Sequence, residues 1–280
     1  MEWSPEILGE YRCFGGVQGY YRQASSAIGL PMQYSLYRPP GTPRGLLLCL
    51  AGLTCSEETF PIKAGAQRLA SELGLALLSP DTSPRGTNIP GQADDWGFGV
   101  AAGFYLDATQ APWAPHWRME THVMQELLPA VQAQLGGVPV SVLGHSMGGH
   151  GALTLAQRHP GRFQSLSVIA PISALSQCPW GQKALPAYLG PDEGQWAQHD
   201  ASALMRAQTA PPFPAGILMD QGEADQFLSD QLKPELFEAA CAAVGQPLTL
   251  RRHAGYGHGY YFVATVIDDH LRHHAAALGG

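Results

Sequence analysis

The octapeptide Gly144-His145-Ser146-Met147-Gly148-Gly149-His150-Gly151 sets a Gly-x-Ser-x-Gly motif between an apolar, β-branched run at 140–143 and a helix-forming run at 152–157. In that setting a buried strand turns sharply into a helix with the serine at the apex. Glycines on either side allow close packing across the turn and an unusual backbone at the serine itself. Ser146 Oγ is then lifted clear of the sheet edge. The helix N-terminus, with the Met147 N–H, faces the position where an oxyanion would form. Glycine-rich loops contain this short pattern by chance as well, and the flanking strand and helix are what set this instance apart.

A serine hydroxyl is protonated at neutral pH, so nucleophilic chemistry needs a base. Histidine suits the task, because its ordinary pKa of about 6.5 lets it accept and return a proton near pH 7. Of eleven histidines, His258 lies in the glycine-rich loop Gly255-Tyr256-Gly257-His258-Gly259, directly after the last predicted strand. His253, at the end of that strand, is its rival. A carboxylate should follow the preceding strand, giving the order serine, acid, histidine. Asp225 meets both conditions, with Asp220 and Glu223 as alternatives: Asp220 reads as part of the strand and Glu223 as a solvated loop acid. The second oxyanion donor is expected at the Leu53 N–H, after the strand at 46–50. Cys55, two residues on, is either a small buried hydrophobe or part of the pocket wall.

The elements that must position these groups recur as strand, helix, strand. A weakly alternating hairpin at 20–37 precedes apolar strands at 46–50 and 75–79, joined by a helix at 64–73 with Gly74 as its cap. The segment 81–115 is too long for an idle connection and carries Trp96, Phe98, Phe104 and Tyr105, which either line a pocket or form a satellite core. A helix over 119–135 is expected to bend or shorten at Pro129. Strands at 165–170, 216–220 and 248–252 and a helix at 232–244 complete the series. The expectation is an α/β-hydrolase fold, with a mostly parallel central sheet covered by helices on both faces. One domain over 1–280 is expected, with an excursion at about 178–212 over the strand ends.

Composition narrows the partners. A formal charge of −7 without a run of lysine and arginine argues against nucleic acid and anionic membranes. No secretory signal and no membrane-spanning stretch is visible, so the protein is expected to be cytoplasmic. Five scattered cysteines fit reduced thiols, and no histidine pattern indicates a metal; His273-His274 reads as a solvated helix face.

Blocks along nearly the whole chain resemble the S-formylglutathione hydrolases, or esterase D family, of the α/β-hydrolase fold. They include Gly52-Leu53-Thr54-Cys55, Asp81-Thr82-Ser83-Pro84-Arg85-Gly86, residues 103–109, residues 144–153, Cys178-Pro179-Trp180-Gly181-Gln182-Lys183-Ala184, Asp225-Gln226-Phe227-Leu228 and Tyr260-Tyr261-Phe262. The resemblance implies hydrolysis of S-formylglutathione to glutathione and formate, in formaldehyde detoxification, with Ser146, Asp225 and His258 falling on the family's triad. It also implies activity on short acyl esters, no cofactor and a homodimer. Cys55, Trp96, Trp180 and Phe227 are the candidate substrate contacts. The alternative is a general short-chain carboxylesterase without glutathione preference. The sequence departs from the family pattern at Gly257 and Gly259, where aspartate and serine are usual, at Ala101 for a usual glycine, and at Ile172-Ser173-Ala174-Leu175. Two glycines beside His258 loosen its loop unless packing compensates.

Overall fold

The described residues build nine strands: β1 (Glu6–Cys13), β2 (Gly16–Ala24), β3 (Pro31–Arg38), β4 (Gly45–Leu50), β5 (Leu75–Pro80), β6 (Val140–His145), β7 (Leu166–Ile169), β8 (Ile217–Gly222) and β9 (Leu248–His253). The computed structural model describes residues 4–278. These strands form one sheet in the order β1-β2-β3-β5-β4-β6-β7-β8-β9. From β5 to β9 every pairing is parallel, and β1, β2, β3 and β5 pair antiparallel. The five inner strands β4, β5, β6, β7 and β8 are buried at every residue, as largely apolar runs require when helices cover both faces.

Helices α1 (Thr59–Lys63), α2 (Gln67–Leu73) and α10 (Tyr260–Leu278) pack together on one side. On the other, α5 (Met147–Arg158) lies over β4, β6 and β7 and is joined by α8 (Ala201–Arg206) and α9 (Pro234–Val244). Gly74, at φ +70°, ends α2 in the left-handed conformation that glycine accepts without strain. No helix among the described residues is long and apolar enough to cross a membrane.

Three parts of the structure differ from the sequence reading. Strand β1 is an extra edge strand whose mostly exposed residues carry no alternation, because it packs on β2 and little else. The excursion after Cys178 is helical, with α6 (Pro179–Leu189), α7 (Glu193–Ala197) and α8; side-chain caps from Asp192 and Asp200 start the last two. Between α3 (Met119–Thr121) and α4 (Leu128–Gln134) one turn is π-helical, so Pro129 falls at the start of α4, where its missing N–H costs little.

His274 is not on a solvated face. It is fully buried, bonding Ser165 Oγ at 2.8 Å and Ser167 Oγ at 2.7 Å. Ser167 Oγ also meets His270 Nδ1 at 2.8 Å, and His270 Nε2 donates to Asp220 Oδ2 at 2.9 Å. Arg251 and His253 complete the coordination of Asp220. This chain of buried polar groups fastens α10 to β7, β8 and β9, with each member finding partners among the others.

Burial holds several imidazoles neutral. His145 and His150 are depressed to about 3, His270 is lowered despite Asp220, and His274 lies well below the ordinary value. Below about pH 6.5 the unfolded chain therefore binds protons that the native chain refuses, so stability falls with pH. Glu126, lowered to about 2 by bonds from His122, Ser25 and Ala27 that outweigh its burial, extends the loss to lower pH. Glu57, raised to about 7 by burial, works the other way between its ordinary value and 7, but as one group against six lowered imidazoles, His199 and His273 included. The urea midpoint is expected to be nearly flat from pH 7 to 8 and to fall steadily from about pH 6.5 to 4.

Candidate active site

Parallel strands β4 and β6 are neighbours, yet the chain leaves β4 for β5 on one side and reaches β6 only later on the other. Loops leaving the two strands diverge at such a switch point, and a crevice opens between them. Leu53 follows β4 and Ser146 follows β6, so both border it.

Ser146 caps α5 with φ +58° and ψ −120°, a strained backbone for a residue with a Cβ. Two glycines make it attainable. A Cβ on Gly144 would lie 2.0 Å from the Gly148 carbonyl oxygen, and one on Gly148 would lie 2.0 Å from the Leu50 carbonyl oxygen. The Ser146 N–H donates to Ile169 C=O at 3.0 Å, so the apex is tied to β7.

Three of the residues singled out from sequence meet in one chain. His258 Nε2 lies 2.8 Å from Ser146 Oγ, and His258 Nδ1 lies 2.6 Å from Asp225 Oδ2. With Nδ1–H donating to the carboxylate, Nε2 is left to accept the serine proton. Asp225 is itself held by the Phe227 N–H at 2.8 Å on Oδ1 and by Gln221 Nε2 at 3.3 Å on Oδ2. The alternatives lie elsewhere: Asp220 belongs to the buried network, His253 bonds Asp220, and Glu223 is exposed.

The loop after β4 is held from behind by the long segment 81–115. Tyr105 donates its hydroxyl to Ala51 C=O at 2.9 Å, the Thr54 N–H donates to Ala101 C=O at 3.1 Å, and Thr82 Oγ1 and Arg85 Nη2 donate to Cys55 C=O at 2.6 and 3.0 Å. Residues 51, 54 and 55 are thus pinned around Leu53. Neither the Leu53 N–H nor the Met147 N–H has a hydrogen-bond partner among the described residues. Gly52 brings this loop against the serine: a Cβ there would lie 3.0 Å from Ser146 Cβ. Ala101 keeps φ +61°, the conformation that a glycine would hold without strain.

These groups open onto a cleft of about 880 Å³. Cys55, Trp96, Trp180 and Phe227 all line it. Trp180 lies 5.0 Å from Phe227 and edge-on to Trp96 at 5.6 Å, and Phe227 meets the His258 ring at 5.0 Å. The aromatics therefore form one wall ending at the imidazole. Phe104 and Tyr105 are instead fully buried against α5, the satellite-core role. Sequence reasoning did not identify His145, Gln221, Lys63 and Tyr261 at the site. His145 lay inside the serine motif itself, and Lys63 was the one base of a short helix facing the cleft, but neither carries a spacing signal.

A family model described as "Putative esterase" matches residues 21–273. The chain is 48% identical to an S-formylglutathione hydrolase of Arabidopsis thaliana over 97% of both chains, and 45% identical to one of Rattus norvegicus over 95% of this chain and 96% of that one. Its backbone is similar to that of an S-formylglutathione hydrolase from Agrobacterium tumefaciens, with a TM-score of 0.92 and 43% identity over 98% of this chain and 99% of that one.

Cys55 gives a test of the cleft wall. Burial raises its thiol, so little thiolate exists at neutral pH. Bulky thiol reagents are expected to block turnover slowly at pH 7 and faster as pH rises, and C55A should keep activity while losing that sensitivity. Full labelling of Cys55 with turnover intact would place its thiol away from the substrate path.

Proposed function

Because the chain belongs to the S-formylglutathione hydrolase family, we propose that it cleaves S-formylglutathione to glutathione and formate through a formyl-serine intermediate. The Ser146–His258–Asp225 hydrogen-bond chain at the mouth of the cleft is the observation that carries this reading. Ser146 Oγ attacks the formyl carbon as His258 Nε2 takes its proton, and the carbonyl oxygen becomes an oxyanion between the Leu53 and Met147 N–H groups. Each such donor is worth about 2.7–4 kcal/mol in comparable hydrolases. Collapse breaks the C–S bond, and His258 returns the proton to the departing sulfur. A thiol, with an ordinary pKa of about 8.5, leaves more readily than an alcohol, so this step asks less of the acid. Water then gives a proton to His258, attacks the formyl ester, and formate departs as Ser146 regains its proton. Asp225 holds the tautomer and balances the imidazolium. No step calls for a cofactor or metal.

The leaving group fits the cleft's charge. Glutathione is a net anion and the chain carries −7 overall, but no acidic side chain among the described residues lines the cleft, whereas Lys63 does. We place the glutathione portion along the aromatic wall of Trp96, Trp180 and Phe227, with Lys63 meeting a carboxylate. The reading extends to a cytoplasmic homodimer. The apolar side chains Ile7, Tyr11 and Phe14, exposed along the β1 edge, are the kind of surface that a second copy covers.

The deciding measurement is kcat/KM on S-formylglutathione beside S-acetylglutathione and 4-nitrophenyl acetate. A large preference for the formyl thioester is expected; fast ester turnover with little response to the glutathione substrates would make the protein a general short-chain carboxylesterase. S146A should fold normally and lose turnover by several orders of magnitude. K63E is expected to raise KM for S-formylglutathione about two- to fivefold, less at high salt, and to leave 4-nitrophenyl acetate nearly unchanged.

A further inference from the structure

His258 stands between Gly257 and Gly259, and packing at those positions does not hold it. A Cβ on Gly259 would meet nothing within 4 Å, and one on Gly257 only the Ala224 carbonyl oxygen at 3.9 Å. The loop is anchored earlier, where the Ala224 N–H donates to Tyr256 C=O at 2.9 Å, and later, where α10 begins at Tyr260. Between these anchors a side chain from another strand holds the backbone. His145 Nε2 donates to the carbonyl of His258 at 2.9 Å.

His145 is the last residue of β6 and immediately precedes Ser146. It is buried, with its ring 4.8 Å from the His258 ring and 5.2 Å, edge-on, from Tyr260. A carbonyl only accepts, so the contact fixes the Nε2–H tautomer and leaves Nδ1 bare; Nδ1 has no partner among the described residues. A neutral ring in that tautomer neither repels the imidazolium that forms on His258 nor competes for the serine proton.

We propose that His145 is a positioning residue that fastens the backbone of the base to the strand end carrying the nucleophile. The spacing between Ser146 and His258 is then set by one residue step along β6, and the freedom of the glycine-flanked loop is removed at the carbonyl of His258 itself. This rests on Ser146 and His258 acting as nucleophile and base.

Three variants test it: H145L, which removes the donor; H145Q, whose amide reaches about as far as Nε2; and H145N, whose amide stops near Nδ1. Turnover of S-formylglutathione and 4-nitrophenyl acetate, the rate of Ser146 phosphonylation by a fluorophosphonate, and thermal unfolding are measured for each. H145L and H145N should lose about tenfold or more in kcat on both substrates with KM little changed, and should phosphonylate slower by a similar factor. H145Q should stay within about threefold of the parent. The downfield proton resonance of His258 Nδ1–H should broaden in H145L and persist in H145Q. A folded H145L with kcat within twofold of the parent overturns the proposal. So does an H145Q as impaired as H145N, a comparison that decides the matter even if H145L does not fold. Turnover retained in S146A would instead remove the underlying assignment, and with it the role of His145.

Discussion

The first turn of α5 crosses the ends of β4 and β6 so closely that main chain touches main chain. No side chain fits between Gly148 and the Leu50 carbonyl, or between Gly144 and the Gly148 carbonyl. That contact forces Ser146 into its strained conformation and leaves the Met147 N–H at a free helix end. It also fixes how far the loop after β4 stands from the serine. A helix kept even one ångström farther off would retain its amphipathic packing but separate the nucleophile from the Leu53 N–H.

Strain of this kind persists only when its surroundings over-determine it. Here the surroundings come from distant parts of the chain. Helix α5 is buried at every residue but its last, with Tyr105 from the long segment packed directly on Gly151. The same tyrosine reaches the carbonyl of Ala51, so one side chain braces both the helix behind the serine and the loop facing it. On the far side of the sheet, the buried histidines of α10 are bonded to Ser165 and Ser167, just before and within β7, the strand next to β6. The apex is therefore supported from both faces and from the end of the sheet.

The sequence was legible where chemistry is local. The serine turn is readable from five contiguous residues, and His258 and Asp225 from their places after two recognisable strands, because strand order fixes which loops share an edge. The buried strands were equally plain. What could not be read depends on partners far away in the chain. Strand β1 has no pattern because it lacks a core to face, and α7 and α8 are short helices whose starts rest on single capping aspartates. His274 reads as surface until Ser165 and Ser167 are known to lie beneath it. His145 gains its meaning only once the carbonyl of a residue 113 positions away is placed above it. Local pattern reports which element forms; it does not report which backbone group that element will meet.

The buried network below α10 has one more consequence. Ser167, His270 and Asp220 repeat the same three side chains in the same bonded order as Ser146, His258 and Asp225, with separations of 2.8 and 2.9 Å against 2.8 and 2.6 Å, although the imidazole is reversed so that Nδ1 faces the serine. A geometric template of hydroxyl, imidazole and carboxylate therefore fits this molecule twice. One copy is sealed: all three of its residues have zero exposure, and its serine is shared with a second imidazole. The other borders a cleft and faces two unclaimed amides. Within a single chain, the same atoms act as mortar in one place and as a reagent in the other, and admission of an acyl group is what separates the two.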